Sequence, residues 1–306
     1  MTSTILFQVA VMLLLVLTGW VLSKRGKLPD EKTLGGLLTN ASLPAMIISS
    51  TMNVPVSSEL LADMGLVAVG FVGVMALGVG MGFIAAKLAR QSTAIAATWA
   101  VCVGFPNVVF IGWPFKYAVY GGDSLPLLSV IALVFNIILF TVAGRLLSLG
   151  STNRIRPSLK QLLLQPVIIS GIIGLFLLLT PITLPGPVQT SVGMLAATTI
   201  PLAMIFMGNQ LSRCSLRDTF LDRRAYIASF VRLVPVGLVS YFMLSLFIPN
   251  EMVVGFLFIG AVTPTATSVP IIAAQQGVDA VFCSKVCVLS TILSALTIPL
   301  LIPLLI

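Results

Sequence analysis

The stretch Phe105-Pro106-Asn107-Val108-Val109-Phe110-Ile111-Gly112-Trp113-Pro114, running on to Gly121-Gly122-Asp123, decides how this chain is read. It is apolar enough to enter a bilayer, yet two prolines interrupt it. Each proline removes a backbone donor and crowds the preceding turn, which leaves polar groups without partners at membrane depth. The pattern returns as Pro264, Pro270 and Gly277-Val278-Asp279. Two interrupted spans in corresponding halves of a chain point to a transporter's binding site, because broken backbone is tolerated where it lines a cavity.

The rest of the chain fits that reading. With 58% hydrophobic and 8% charged residues over 306 positions, it carries too few charges to cover a soluble globule. Apolar stretches of bilayer length fall at 4–22, 34–52, 60–88, 94–121, 125–148, 161–180, 188–211, 225–248, 252–277 and 279–305. The expected architecture is therefore an all-α membrane protein of ten transmembrane helices.

A net charge of +8 could indicate nucleic acid, but the positions of the charges exclude it. With the N-terminus outside, Lys24, Arg25, Lys27, Lys32, Lys87, Arg90, Arg145, Arg154, Arg156, Lys160, Arg213, Arg217, Arg223, Arg224 and Lys285 all fall on one side. The opposite loops carry no basic residue. The positive-inside rule assigns the basic side to the cytoplasm and both termini to the exterior of the plasma (inner) membrane. Residues 1–22 have no basic side chain in front, a basic cluster behind and no small-residue cleavage pattern, so they read as an uncleaved first span. Cys102, Cys214, Cys283 and Cys287 imply no disulfide framework, and no metal or cofactor is expected.

The second half aligns with the first at an offset near 157. Leu43-Pro44-Ala45 maps to Ile200-Pro201-Leu202, Pro106 to Pro264, Pro114 to Pro270, Gly121 to Gly277 and Asp123 to Asp279. Each half holds an odd number of spans, so the halves insert with opposite topology, with spans 4 and 9 as the broken pair. The expected organisation is a first repeat over 1–149, a cytoplasmic linker over 150–160 and an inverted second repeat over 161–306.

The segment from Phe105 to Pro114 followed by Tyr120-Gly121 resembles the fourth span of the auxin efflux carrier family, which includes plant PIN carriers and bacterial malate- and malonate-type permeases. Val262-Thr263-Pro264 with Pro270 resembles that family's second crossover. Gly19 ahead of Lys24-Arg25-Gly26, and Asn40-Ala41-Ser42-Leu43-Pro44, resemble its first two spans. The resemblance implies two inverted five-helix repeats, a fold shared in outline with sodium/bile-acid symporters. It also implies elevator-type transport. A scaffold of spans 1, 2, 6 and 7, dimerising through spans 2 and 7, would hold a mobile unit of spans 3–5 and 8–10, with substrate at the crossing of Pro106 and Pro264.

Half-helices beginning after Pro106 and Pro264 would turn unpaired N–H groups and positive dipole ends toward the cavity, which favours an anion. Asn107, Thr263, Thr265, Thr267 and Ser268 would supply amide or hydroxyl partners, beside Gly112, Pro114 and Pro270 of the broken segments. The alternative for each Ser or Thr is that it satisfies carbonyls freed by the prolines. Asn136 in span 5, with Gln275 and Gln276, is a further candidate. Lys116, about 13 Å along a helix from Asn107, reads as snorkelling outward, with the alternative that it draws an anion toward the site. Arg232, about two turns into span 8, has the same two readings, and its greater depth favours a bundle-facing functional role over snorkelling.

Coupling has few candidates in a chain without histidine. Asp63 near the start of span 3 resembles an aspartate of plant relatives, but Val67 stands where they carry a lysine, so a rim aspartate is the equal alternative. No carboxylate sits at the crossover, which disfavours a sodium symporter. The expected activity is secondary transport of a small organic anion, malate- or malonate-like, by uniport or with a proton. Auxin-like aromatic acids come second, and a channel or transporter-like sensor is the alternative from another class. An intramembrane enzyme would need a nucleophile with its base, a metal motif or paired carboxylates within spans, and none is present.

Overall fold

The computed structural model describes residues 2–52, 54–151, 160, 163–213 and 216–305. Arg154, Arg156, Cys214 and most of the expected linker 150–160 lie outside the described residues.

Among the described residues the chain is helical throughout. The elements are α1 (Thr2–Lys24), α2 (Glu31–Leu37), α3 (Leu43–Ser49), α4 (Ser58–Leu88), α5 (Thr93–Gly104), α6 (Trp113–Tyr120), α7 (Leu125–Ile138) and α8 (Gly144–Ser148). They continue with α9 (Pro166–Leu179), α10 (Gly186–Arg213), α11 (Leu216–Leu221), α12 (Arg223–Leu233), α13 (Pro235–Phe247), α14 (Glu251–Ala261), α15 (Ser268–Gln275) and α16 (Ala280–Leu305). Five runs are long and apolar enough to cross a bilayer: Ser58–Leu88, Leu125–Ser148, Gly186–Arg213, Arg223–Phe247 and Ala280–Leu305. Shorter apolar helices, among them Thr93–Gly104 and Glu251–Ala261, make up the rest.

Local sequence explains the helix starts. Ser57 accepts from Leu60 N–H ahead of α4, Asp222 from Arg224 N–H ahead of α12, and Asn250 from Met252 and Val253 N–H ahead of α14. Each side chain satisfies an amide that the first turn leaves free. The two half-helices that follow the breaks end alike. Gly121 after α6 and Gly277 after α15 have φ of 70° and 67°, a left-handed conformation that glycine adopts without a Cβ penalty.

Prolines act differently by position. Pro201 lies inside the unbroken α10, whereas Pro235 opens α13 after a break at Val234. The stretch 225–248 is thus divided into two abutting helices at Val234, while Arg223–Phe247 as a whole remains one run of bilayer length. Wide turns with the π hydrogen-bond pattern occur at Leu38–Ser42, Val108–Gly112 and Leu139–Ala143.

Large apolar side chains face outward along the bundle, with Val69 75% and Leu246 81% exposed, the surface expected where lipid is the solvent. Inside, close approach depends on small residues. A Cβ on Gly208 of α10 would stand 2.0 Å from Val16 O of α1, and one on Gly19 would stand 2.2 Å from Ile205 O. Gly82 of α4 meets α5 as closely, at 2.6 Å from Ala100 Cα. Two groups stand out: α1, α3, α9 and α10 pack together, and α4 packs with α5, α7, α12, α13 and α14, with α16 against α12 and α15, while α9 on α7 and α1 on α6 and α16 connect them. Met12, Leu38, Phe115, Phe206, Phe258 and Ile302 form a cluster joining the two groups.

Candidate functional site

The two broken segments meet. Pro106 pairs with Thr265 as an isolated antiparallel bridge, in which Asn107 N–H donates to Pro264 O at 2.7 Å and Ala266 N–H donates to Phe105 O at 2.9 Å. The backbone groups that the prolines release are satisfied across the crossing, as membrane depth requires. The first half-helices leading into it are wholly enclosed, α5 from Ala96 to Gly104 and α14 from Val253 to Ala261.

Side chains complete the satisfaction. Arg232 is fully buried; its Nε donates to Thr263 O at 2.9 Å, Nη1 to Val103 O at 2.8 Å and Nη2 to Ala261 O. One guanidinium therefore holds the carboxyl ends of both α5 and α14, where helix dipoles place negative partial charge. Thr263 Oγ1 donates to Gly260 O and Thr265 Oγ1 to Cys102 O, both at 2.7 Å. Those two hydroxyls take the carbonyl-satisfying alternative. From α16, Ser290 Oγ accepts from Thr265 N–H at 3.1 Å and Cys287 Sγ donates to Thr265 O at 3.6 Å.

Asn107 is buried at 2% exposure, and its Oδ1 accepts from Phe110 N–H at 3.2 Å, capping the turn that restarts the helix. Its Nδ2 is enclosed without a hydrogen-bond partner among the described residues. Gly112 leaves room beside Thr263, whose Cγ2 would be 3.3 Å from a Cβ there. Pro114 and Pro270 lie in the first turns of α6 and α15, where a missing N–H costs little. The helix after Pro264 begins only at Ser268, so the second break is longer than the expected start just past the proline.

A cavity of about 1030 Å³ opens beside α15. Thr267, Ser268 and Pro270 line it, joined by Gln275, Phe110, Phe206 and Cys287, with Arg213 and Lys285 contributing cations. Lys285 Nζ is 3.1 Å from Asp222 Oδ2, and Arg224 Nε is 3.4 Å from Asp222 Oδ1. Burial pushes the Asp222 carboxyl up, but the hydrogen bonds and charges of Lys285 and Arg224 outweigh it and hold it below the usual carboxylate range.

Three candidates sit elsewhere. Lys116 does not snorkel: it is fully buried, with Nζ 4.2 Å from the centroid of the Phe256 ring and against Gly260. Its place on the inner face of α6, packed on α14, draws the stem inward rather than toward the outer rim. Asn136 Nδ2 donates to Ala132 O at 2.7 Å within its own helix, while the adjacent Phe135 ring packs edge-on against Phe105, 6.4 Å between centroids. Asp63 is 8% exposed and accepts from Asn250 Nδ2 at 2.9 Å, which links α4 to the cap of α14.

Sequence reasoning missed Ser290, Cys287 and Phe206, whose partners or cavity neighbours are distant in the chain. The model of the membrane transport protein family matches residues 4–302. The chain belongs to this family, that of the auxin efflux carriers. It is also 27% identical, over 94% of both chains, to an uncharacterized transporter of Methanothermobacter thermautotrophicus. Membership with this many apolar helices marks it as a multi-pass protein of membrane transport.

Proposed function

We propose that this auxin efflux carrier family member is a secondary carrier of a small organic anion, of the malate or malonate kind. The observation that carries the reading is the charge of the crossing. Arg232 is fully buried between the ends of α5 and α14, and the ion pairs found among the described residues all involve Asp222 instead. Buried cations need a counter-charge, and an arriving carboxylate supplies one. The enclosed Nδ2 of Asn107 and the hydroxyls of Thr267 and Ser268 would orient it. Lack of an acidic group at the crossing argues against sodium as the coupling ion.

The proposed architecture is ten spans in two inverted repeats. Contacts at or next to repeat mates support it: Thr199 Oγ1 donates to Ser42 O at a separation of 157, and Asn107 N–H donates to Pro264 O, one position from the Pro106–Pro264 pair. In a two-fold arrangement a residue touches its own mate only on the axis. The two packed groups are the basis for an elevator, with α1, α3, α9 and α10 as a dimerising scaffold and the group around α4, α5 and α14 as the moving unit. The cavity lined by Arg213 and Lys285 then faces the cytoplasm, so this conformation is the inward-open one.

Counterflow in proteoliposomes tests the function. Preloaded malonate or malate should accelerate uptake of the labelled acid, and Asn107→Asp, which keeps the cap but adds repulsion, should abolish it. Conductance without trans-stimulation, or binding without movement, would replace the carrier reading by a pore or a sensor.

A further inference from the structure

We propose that Lys116 and Tyr120 form a second anion-binding point, separate from the cavity, that takes a small monovalent anion: a halide or a single carboxylate group. Lys116 and Tyr120 are one turn apart on α6, and side chains at that spacing share a face. Both pack on one ring of α14: Lys116 Nζ is 4.2 Å from the Phe256 centroid, and the Tyr120 and Phe256 rings are 5.8 Å apart. Lys116 Nζ and the Tyr120 hydroxyl are enclosed and have no hydrogen-bond partner among the described residues.

The neighbours restrict what can complete the site. The Phe256 face receives the ammonium as a cation–π contact but leaves its outward protons unused. Gly260 brings backbone, not a side chain, against Nζ, where a Cβ would lie 3.2 Å away. Glu251, the acidic residue of α14, starts that helix and is exposed, nine residues and about 13 Å from Gly260. The ion pairs among the described residues leave Lys116 out. A buried ammonium and a phenol donor on one face, with no acceptor from the protein, select an anion over a cation or a neutral solute. Gly121 and Gly122, which follow Tyr120, are exposed, and neither Lys116 nor Tyr120 lines the cavity that Arg213 and Lys285 border. Lys116 Nζ and Val108 Cγ1 stand 3.2 and 3.4 Å from where a Cβ on Gly260 would lie, so this point borders the crossing near Asn107 without lining the cavity.

Thermal unfolding of the full chain in detergent tests the site, because a ligand of the folded state raises its apparent stability. Sodium bromide and sodium chloride, compared with gluconate at matched ionic strength, should raise the Tm of the wild type saturably. Lys116→Met should weaken that response at least tenfold, Tyr120→Phe should weaken it less, and Lys116→Arg, which keeps a cation, should retain it. Competition between bromide and malonate assigns the point to the carried acid, and independence assigns it to an inorganic ion; both support an anion point. A flat wild-type response, or an equal response in Lys116→Met and wild type, overturns the proposal. Should Lys116→Met fail to fold, Tyr120→Phe against wild type decides.

Discussion

Arg232 donates to the carbonyl of Val103 at 2.8 Å although 129 positions separate them. The same guanidinium reaches Ala261 and Thr263, so one side chain ties the ends of two half-helices together. Removing it as Arg232→Met leaves three buried carbonyls without a donor, at about 1–3 kcal/mol each. The expected loss is about 3 kcal/mol or more, read as a fall in Tm and in monodisperse yield. Arg232→Lys, which keeps the charge without the fork, should fall between. Equal stability of all three proteins would refute the clamp.

Close packing of α1 on α10 gives a second prediction. Gly208→Ala places a methyl about where Val16 O stands, at 2.0 Å, and nothing flexible can yield. Its folded yield should drop sharply. Gly80→Ala is the control: its Cβ meets nothing within 4 Å, so helix propensity should make the change neutral or stabilising by about 0.5–1 kcal/mol. Similar behaviour of the two variants would contradict the contact.

Thiol reagents should discriminate among the buried cysteines. Cys287 lines the cavity, whereas Cys102 and Cys283 are fully buried and do not. A water-soluble maleimide should modify Cys287 first, and the carried anion should slow it. Peptide mapping by mass spectrometry reads both effects; labelling of Cys102 ahead of Cys287 would show that the cavity does not reach the crossing as described.

The Asp222 junction predicts a pH dependence. Its carboxyl is held below the ordinary value, so its contribution is present above the unfolded pKa of about 3.9 and is lost as pH falls through the lower folded value. Asp222→Asn should therefore lower Tm at pH 7, and the difference from wild type should shrink as pH falls below the ordinary carboxylate range. A gap that persists at acid pH would assign the effect to the helix cap alone.

Much of this was legible in the sequence because proline and glycine act locally. Pro106, Pro264, Gly121 and Gly277 mark the interrupted helices and their ends from the chain alone. Thr267, Ser268 and Pro270 were placed at the cavity by proximity to the break. What was not legible depends on distant partners. Nothing near Arg232 announces Val103 or Ala261, and Lys116 was read at the rim because only the packing of α6 on α14 draws it inward. Pro201 and Pro235 look alike in sequence; one is carried inside a helix and the other starts a new one, since neighbouring helices decide whether the freed carbonyl finds a partner.

The bridge between 105–107 and 264–266 also bears on how the protein is made. In a nascent chain stopped before Thr263, Phe105 O, Cys102 O and Asn107 N–H lack the partners that Ala266, Thr265 and Pro264 provide. The first half then keeps unsatisfied backbone groups at the crossing until 264–266 have been made. Folding of the crossing is in that sense a two-half assembly, completed late in translation.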